Sequence, residues 1–222
     1  MTKASKSAQP ESDRFIVFSN AFRKHAHLLV AWGYSDTLSK IKSDNEEEPA
    51  ITGYIAHSIK KRLRDGPPWC KHYFVRDDPP VEQEGCSGRK RPRVDMIIEA
   101  NMKGRPEYVF EAKRLRKNGY GPSKYIGSEG MGCFITGRYA SRYKESAMLG
   151  YVQSDSSDYW KAKVKAAIDK NATQLELNGL QQDITVIDDL PYEWFSVHTR
   201  QGLGSYVKIY HILLDCICRM PI

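Results

Sequence analysis

Apolar residues recur along the chain at two different periods, and the change of period marks out its elements. Between Asn45 and Leu63, Ile51, Ile55, Ile59 and Leu63 fall every four residues with Tyr54 and Ser58 alongside, the stripe of an amphipathic helix. Proline is tolerated only in a first helical turn, so Pro49 sets the start near Glu46 to Glu48, and Asp65-Gly66-Pro67-Pro68 ends the helix. An earlier helix is predicted over about Arg14 to Trp32, with Phe15, Phe18, Phe22, Ala26 and Leu29 on one face and Gly33-Tyr34 closing it. Ahead of it, residues 1–12 are rich in Ser, Lys and Gln and read as a disordered tail.

Shorter apolar runs follow. His72 to Val75 reads as a first strand, and Asp77-Asp78-Pro79-Pro80 as a loop, with Val81 to Arg91 returning towards a second. Val94-Asp95-Met96-Ile97-Ile98 and Tyr108-Val109-Phe110-Glu111-Ala112-Lys113 then form a hairpin across the turn Asn101 to Pro106. In that hairpin Met96, Ile98, Phe110 and Ala112 share one face, and Ile97 and Val109 the other. A hairpin apolar on both faces belongs in a covered sheet. Beyond a loop at Asn118 to Pro122, the glycine-rich stretch Lys124 to Val152 is expected to open a helix at Arg138 that runs towards Leu149. A serine-capped helix over Ser156 to Asn171 and a hairpin of Glu193–Arg200 with Ser205–Leu214 complete the chain.

Chemistry gathers on the first hairpin. Glu111 and Lys113 alternate onto one strand face, and a turn centred near Lys103 sets Asp95 opposite Glu111. Two carboxylates and an ammonium on a covered strand need partners or a cation. A hard divalent ion takes carboxylate oxygens and keeps waters for a phosphate. An ordinary hairpin with solvated strand ends is the plainer alternative. Glu99 and Glu107 share the inner face but stand close to the turn, where solvation is expected.

Asp95 and Glu111-Ala112-Lys113, with fifteen residues between the acids, resemble the motif of the PD-(D/E)XK nuclease superfamily. Val94 stands where that motif has proline. The resemblance implies an α/β fold with a restriction-endonuclease-like α-β-β-β-α-β core, a central mixed sheet flanked by helices. It also implies Mg²⁺ (Mn²⁺ substituting) held by Asp95, Glu111 and the Ala112 carbonyl, with Lys113 positioning the attacking water. An acid from the preceding helix is expected as well, Glu48 ahead of Glu47. Over Lys124 to Val152 the superfamily usually sets a helix packed on the sheet, which in some members contributes a polar residue near the metal, so Tyr125, Arg138 and Tyr139 are candidates for phosphate contact. The implied activity is a metal-dependent endonuclease of DNA, RNA remaining open, in restriction, antiviral defence or repair.

Composition adjusts the picture in three ways. The length of 222 residues and a hydrophobic content of 41% fit one domain over residues 13–222. A net charge of +7, clustered as Arg89-Lys90-Arg91-Pro92-Arg93 before Asp95 and Arg114-Leu115-Arg116-Lys117 after Lys113, points to a polyanion. Arg91, Arg93, Arg114 and Arg116 are the expected backbone contacts. Further basic groups stand at Lys60-Lys61-Arg62, Arg64 and Lys161, Lys163 and Lys165. Five cysteines without framework spacing read as reduced thiols, and no apolar run spans a bilayer, so a cytoplasmic protein is expected. His198 and His211, each among apolar strand neighbours, read as structural. The lack of a separate recognition domain allows partner proteins or a homo-oligomer. It also allows a rival reading, a nucleic-acid-binding or assembly subunit without turnover.

Overall fold

The computed structural model describes residues 9–81, 87–200 and 202–218. Residues 1–8 of the expected tail, Cys86 and Gln201 lie outside the described residues. Helix α1 spans Gln9–Ser35, so it begins before the expected Arg14 and runs past Gly33. Gly33 is inside its last turn because α1 packs closely on α2 (Glu48–Asp65). A Cβ there would stand 2.8 Å from the Ile55 carbonyl oxygen. The four-residue stripe of α2 buries Ile51, Ile55 and Ile59 completely.

Seven strands form one mixed sheet. They are β1 (Tyr73–Asp77), β2 (Met96–Ala100), β3 (Glu107–Leu115), β4 (Glu145–Val152), β5 (Gln182–Asp183), β6 (Glu193–Arg200) and β7 (Ser205–Asp215). Their order is β1-β2-β3-β4-β7-β6-β5. The pairs at both ends are antiparallel, and β3, β4 and β7 run parallel in the middle. Short helices α3 (Pro122–Ile126) and α4 (Gly132–Ile135) connect β3 to β4, and α5 (Ser157–Lys170) follows β4 with Ser156 capping its N-terminus.

The alternation read in the hairpin divides the core. Met96, Ile98, Phe110 and Ala112 join Leu149, Tyr151 and Ile212 under α1 and α2. Ile97 and Val109 face the other way, with Met148, Val152, Trp194 and the α5 residues Trp160, Val164 and Ile168. Helices thus cover both faces, as a sheet with a parallel centre requires.

The expected helix from Arg138 to Leu149 is not there. Residues 137–143 form turns, and Glu145–Val152 is the central strand β4. Ala147, Met148 and Leu149 suit a helix, but this strand is buried on both faces, so polar alternation never marks it. Gly150 is part of the same logic. A Cβ there would come within 2.4 Å of Leu213 and 2.9 Å of Leu115. The turns before β4 are held from a distance. Arg200, 1% exposed, donates through its guanidinium to the carbonyls of Phe134, Ala140, Ser141 and Tyr143. Among the described residues no helix is long and apolar enough to cross a membrane.

Candidate functional site

The β2–β3 register pairs Met96 with Phe110 and Ile97 with Val109, and one further step sets Asp95 against Glu111. Asp95 itself precedes β2, and its Oδ2 accepts the Ala112 amide at 2.7 Å. Lys113 Nζ donates to Glu111 Oε1 at 2.8 Å, to Glu48 Oε1 at 3.0 Å and to the Ala112 carbonyl at 2.7 Å. Glu48 Oε2 takes the Arg114 amide at 3.1 Å, so the first residue of α2 closes the C-terminal end of β3. Glu47, the expected second choice, is exposed and makes no cap hydrogen bond. All four residues expected at the site therefore meet there.

Their electrostatics are strained. Burial, then repulsion from Asp95, pushes the Glu111 carboxyl up to about 9. Burial also raises Asp95 and Glu48 above the usual carboxylate range, against the pull of Lys113. Burial opposes the Lys113 ammonium, but Glu111, Glu48 and Asp95 outweigh it and raise its pKa. Glu111 Oε2 is enclosed and receives no hydrogen bond from a donor. A proton shared with Asp95, or a cation, is what can satisfy it. Among the described residues no three His, Cys, Asp or Glu side chains form a ready cage. The acids come as a pair, with Glu48 bridged to it through Lys113.

The basic flanks divide. Arg114 donates to the carbonyls of Asn45 and Glu46 and stacks on Tyr120 at 3.8 Å, and Arg116 donates to Asn45 Oδ1. Both brace the loop ahead of α2. Arg91 has one long contact of 3.5 Å to the Gly88 carbonyl, and the exposed Arg93 pairs with Asp78. Farther away, Lys60 pairs with Asp77, Arg62 with Asp36, and Lys161 and Lys165 with Asp183. Glu99 corrects an expectation. It is buried rather than solvated, and Arg76 and Arg105 neutralise it from outside.

Tyr125 also lies elsewhere than expected. It is fully buried, too deep for a phosphate, and belongs to a polar chain through the second core. His198 Nδ1 donates to the Leu175 carbonyl at 2.7 Å, which fixes its tautomer. Its Nε2 therefore accepts from Ser196 Oγ at 2.7 Å. Ser196 Oγ in turn accepts from His211 Nε2 at 2.8 Å, and His211 Nδ1 accepts from the Tyr125 hydroxyl at 3.1 Å. Burial depresses His198 to about 4 and holds His211 well below the usual imidazole range, so both are neutral. Both histidines are structural, as expected.

Tyr139 donates to the Arg93 carbonyl at 2.6 Å, two residues before Asp95, and Arg138 forms a bidentate pair with Glu129. Cys70, Cys133 and Cys216 are buried free thiols, and Cys218 is a half-buried one. Sequence reasoning missed Glu129 and a second buried set, in which His27 bridges Glu193 at 2.5 Å and Tyr108 at 2.9 Å. No local pattern links His27 to a partner 166 positions away. Comparison of the chain with family models, curated proteins and solved structures returns no match.

Proposed function

We propose that this protein is a metal-dependent phosphodiesterase, an endonuclease acting on DNA. The observation that carries the reading is the enclosed Asp95–Glu111 pair, whose Glu111 Oε2 lacks a donor, beside a lysine held by Glu48. The succession of α2, three antiparallel strands, short helices and a parallel strand supports it, being the order expected of a restriction-endonuclease-like core.

The residues present fit a hard divalent cation. Asp95 and Glu111 would hold it, with the Ala112 carbonyl and Glu48 at hand, since magnesium needs only one or two carboxylates. When bound, such an ion supplies Lewis acidity towards a phosphate oxygen. The chain's own residues do the rest. Lys113 keeps its proton, so it orients water and stabilises charge developing on phosphate oxygens as a donor, not as a base. Glu48 and Glu111 fix the direction of that ammonium.

One observation favours the rival, a binding or assembly subunit without turnover. The Lys113 ammonium already bridges Glu111 and Glu48, so these acids have charge compensation within the chain. A plasmid-cleavage assay separates the two readings. Cutting with Mg²⁺ or Mn²⁺ and not with EDTA is expected, falling about 10³-fold in Asp95→Ala and Lys113→Ala. Undiminished cleavage by these variants would remove their roles. Metal-independent DNA binding with no cleavage under any metal would establish the rival.

A further inference from the structure

Arg138 is the cation near the acid pair whose present partner is the least suited to be permanent. Both guanidinium nitrogens NH1 and NH2 engage Glu129, at 3.0 and 2.8 Å, yet the Glu129 side chain is 77% exposed. An ion pair of that exposure contributes little to stability. The rest of Arg138 is well supported. NH2 also reaches Cys133 Sγ at 2.8 Å and the Ser128 carbonyl at 3.3 Å, and the guanidinium carbon lies 5.3 Å from the Tyr139 ring centre. Its Nε is buried without a partner. The backbone here is fixed by Arg200 on the carbonyls of Ala140, Ser141 and Tyr143, and by the Tyr139 bond to Arg93. Arg138 is thus a pre-aimed guanidinium with one removable counter-ion.

The acid site is tied to this turn by geometry, since Tyr139, next in the chain to Arg138, donates to the Arg93 carbonyl two residues before Asp95. Glu111 acts on the Cys133 thiol and on Tyr139, and Lys113 acts on Glu129. A phosphodiester presents two oxygens in the same forked geometry as a carboxylate, which is what a guanidinium takes. We propose that Arg138 is a substrate-binding residue that grips a backbone phosphate beside the Asp95–Glu111 pair, and that Glu129 is a built-in phosphate mimic occupying it until nucleic acid arrives. The inference rests on the nuclease reading and adds to it a latch that the substrate must displace.

The latch makes a directional claim. Glu129→Gln, at an exposed side chain, removes the competitor and should tighten binding of a labelled DNA duplex about 2- to 5-fold at low salt. Arg138→Ala should weaken binding and flatten the slope of log K against log salt by about 0.9, one phosphate contact. Adding Glu129→Gln to Arg138→Ala should then gain nothing. Anisotropy in EDTA measures all four proteins without turnover, melting curves verify folding, and Arg138→Gln, which also removes the charge, replaces Arg138→Ala if the latter melts early. A gain from Glu129→Gln that persists without Arg138 would mean general charge repulsion and would overturn the latch alone. No binding of DNA or RNA by the unmodified protein would overturn the latch together with the nucleic-acid reading.

Discussion

Two buried polar clusters share the same face of the sheet, and they have settled their burial in opposite ways. The histidine chain from Leu175 through His198, Ser196 and His211 to Tyr125 is uncharged, and every member has a donor or acceptor role dictated by the first carbonyl. The acid site at the end of β3 holds the Glu48 and Glu111 carboxyls on one ammonium, with Asp95 on the Ala112 amide, and leaves Glu111 Oε2 without a donor. Only the first cluster is complete within the chain. A buried polar group that satisfies itself is architecture, and one that waits for a proton or an ion is where chemistry has to come from outside.

The largest contrast is in the response to pH. The two histidines have folded pKa values below the unfolded one, so the unfolded chain binds more protons as pH falls from about 6.5 towards 4. Stability should drop over that window, by about 3 kcal/mol for His198 alone at ~1.4 kcal/mol per unit. Glu111 runs the other way. Its folded pKa is raised to about 9, so the folded chain binds more protons between about 4.5 and 9, and stability falls as pH rises. Chemical denaturation across this range should give a maximum near the middle. A profile without the acid limb would mean the histidines are not held neutral.

Ser196→Ala tests the complete cluster. It leaves both imidazoles facing a methyl group and should cost about 2 kcal/mol, roughly 4–8 °C in melting temperature for a chain of this size. A neutral result would show that water or a tautomer change repairs the chain.

At the acid site the isosteric Glu111→Gln should act oppositely and more gently. In EDTA at pH 8 it removes the proton uptake that burial and Asp95 force on Glu111 when the chain folds, and should raise stability by about 1 kcal/mol. It should also flatten the alkaline limb and abolish any melting shift on adding Mn²⁺. Destabilisation instead would mean that the Lys113 pair outweighs the repulsion.

Much of this arrangement was legible in the chain. Regular periods placed α2, the β2–β3 hairpin and the β6–β7 hairpin, and hairpin arithmetic alone set Asp95 against Glu111. What escaped did so for physical reasons. β4 is buried on both faces and offers no alternation to read, so its helix-forming residues misled. Tyr125 was expected near phosphate because the superfamily sets a helix with a polar group near the metal in this segment, but its hydroxyl is turned to His211 on β7, a pairing of residues 86 apart. Arg114 and Arg116 have the right charge for a polyanion, yet the structure gives them to the loop at Asn45 and Glu46. Charge is legible in sequence, but its commitments are not.

Arg200 shows how far such a commitment reaches. Residues 137–143 have the look of a connection that would accept an insertion, with glycine, serine and several polar side chains. Four carbonyls from Phe134 to Tyr143 converge on one guanidinium that is 1% exposed. Lengthening that stretch would lift carbonyls off a charge that has no solvent to replace them. For anyone wishing to fuse a reporter or open the chain at a new terminus, the usable break is the outlying turn at Gly179 and Leu180, where Leu180 is 85% exposed, and not the loop that reads as the softest.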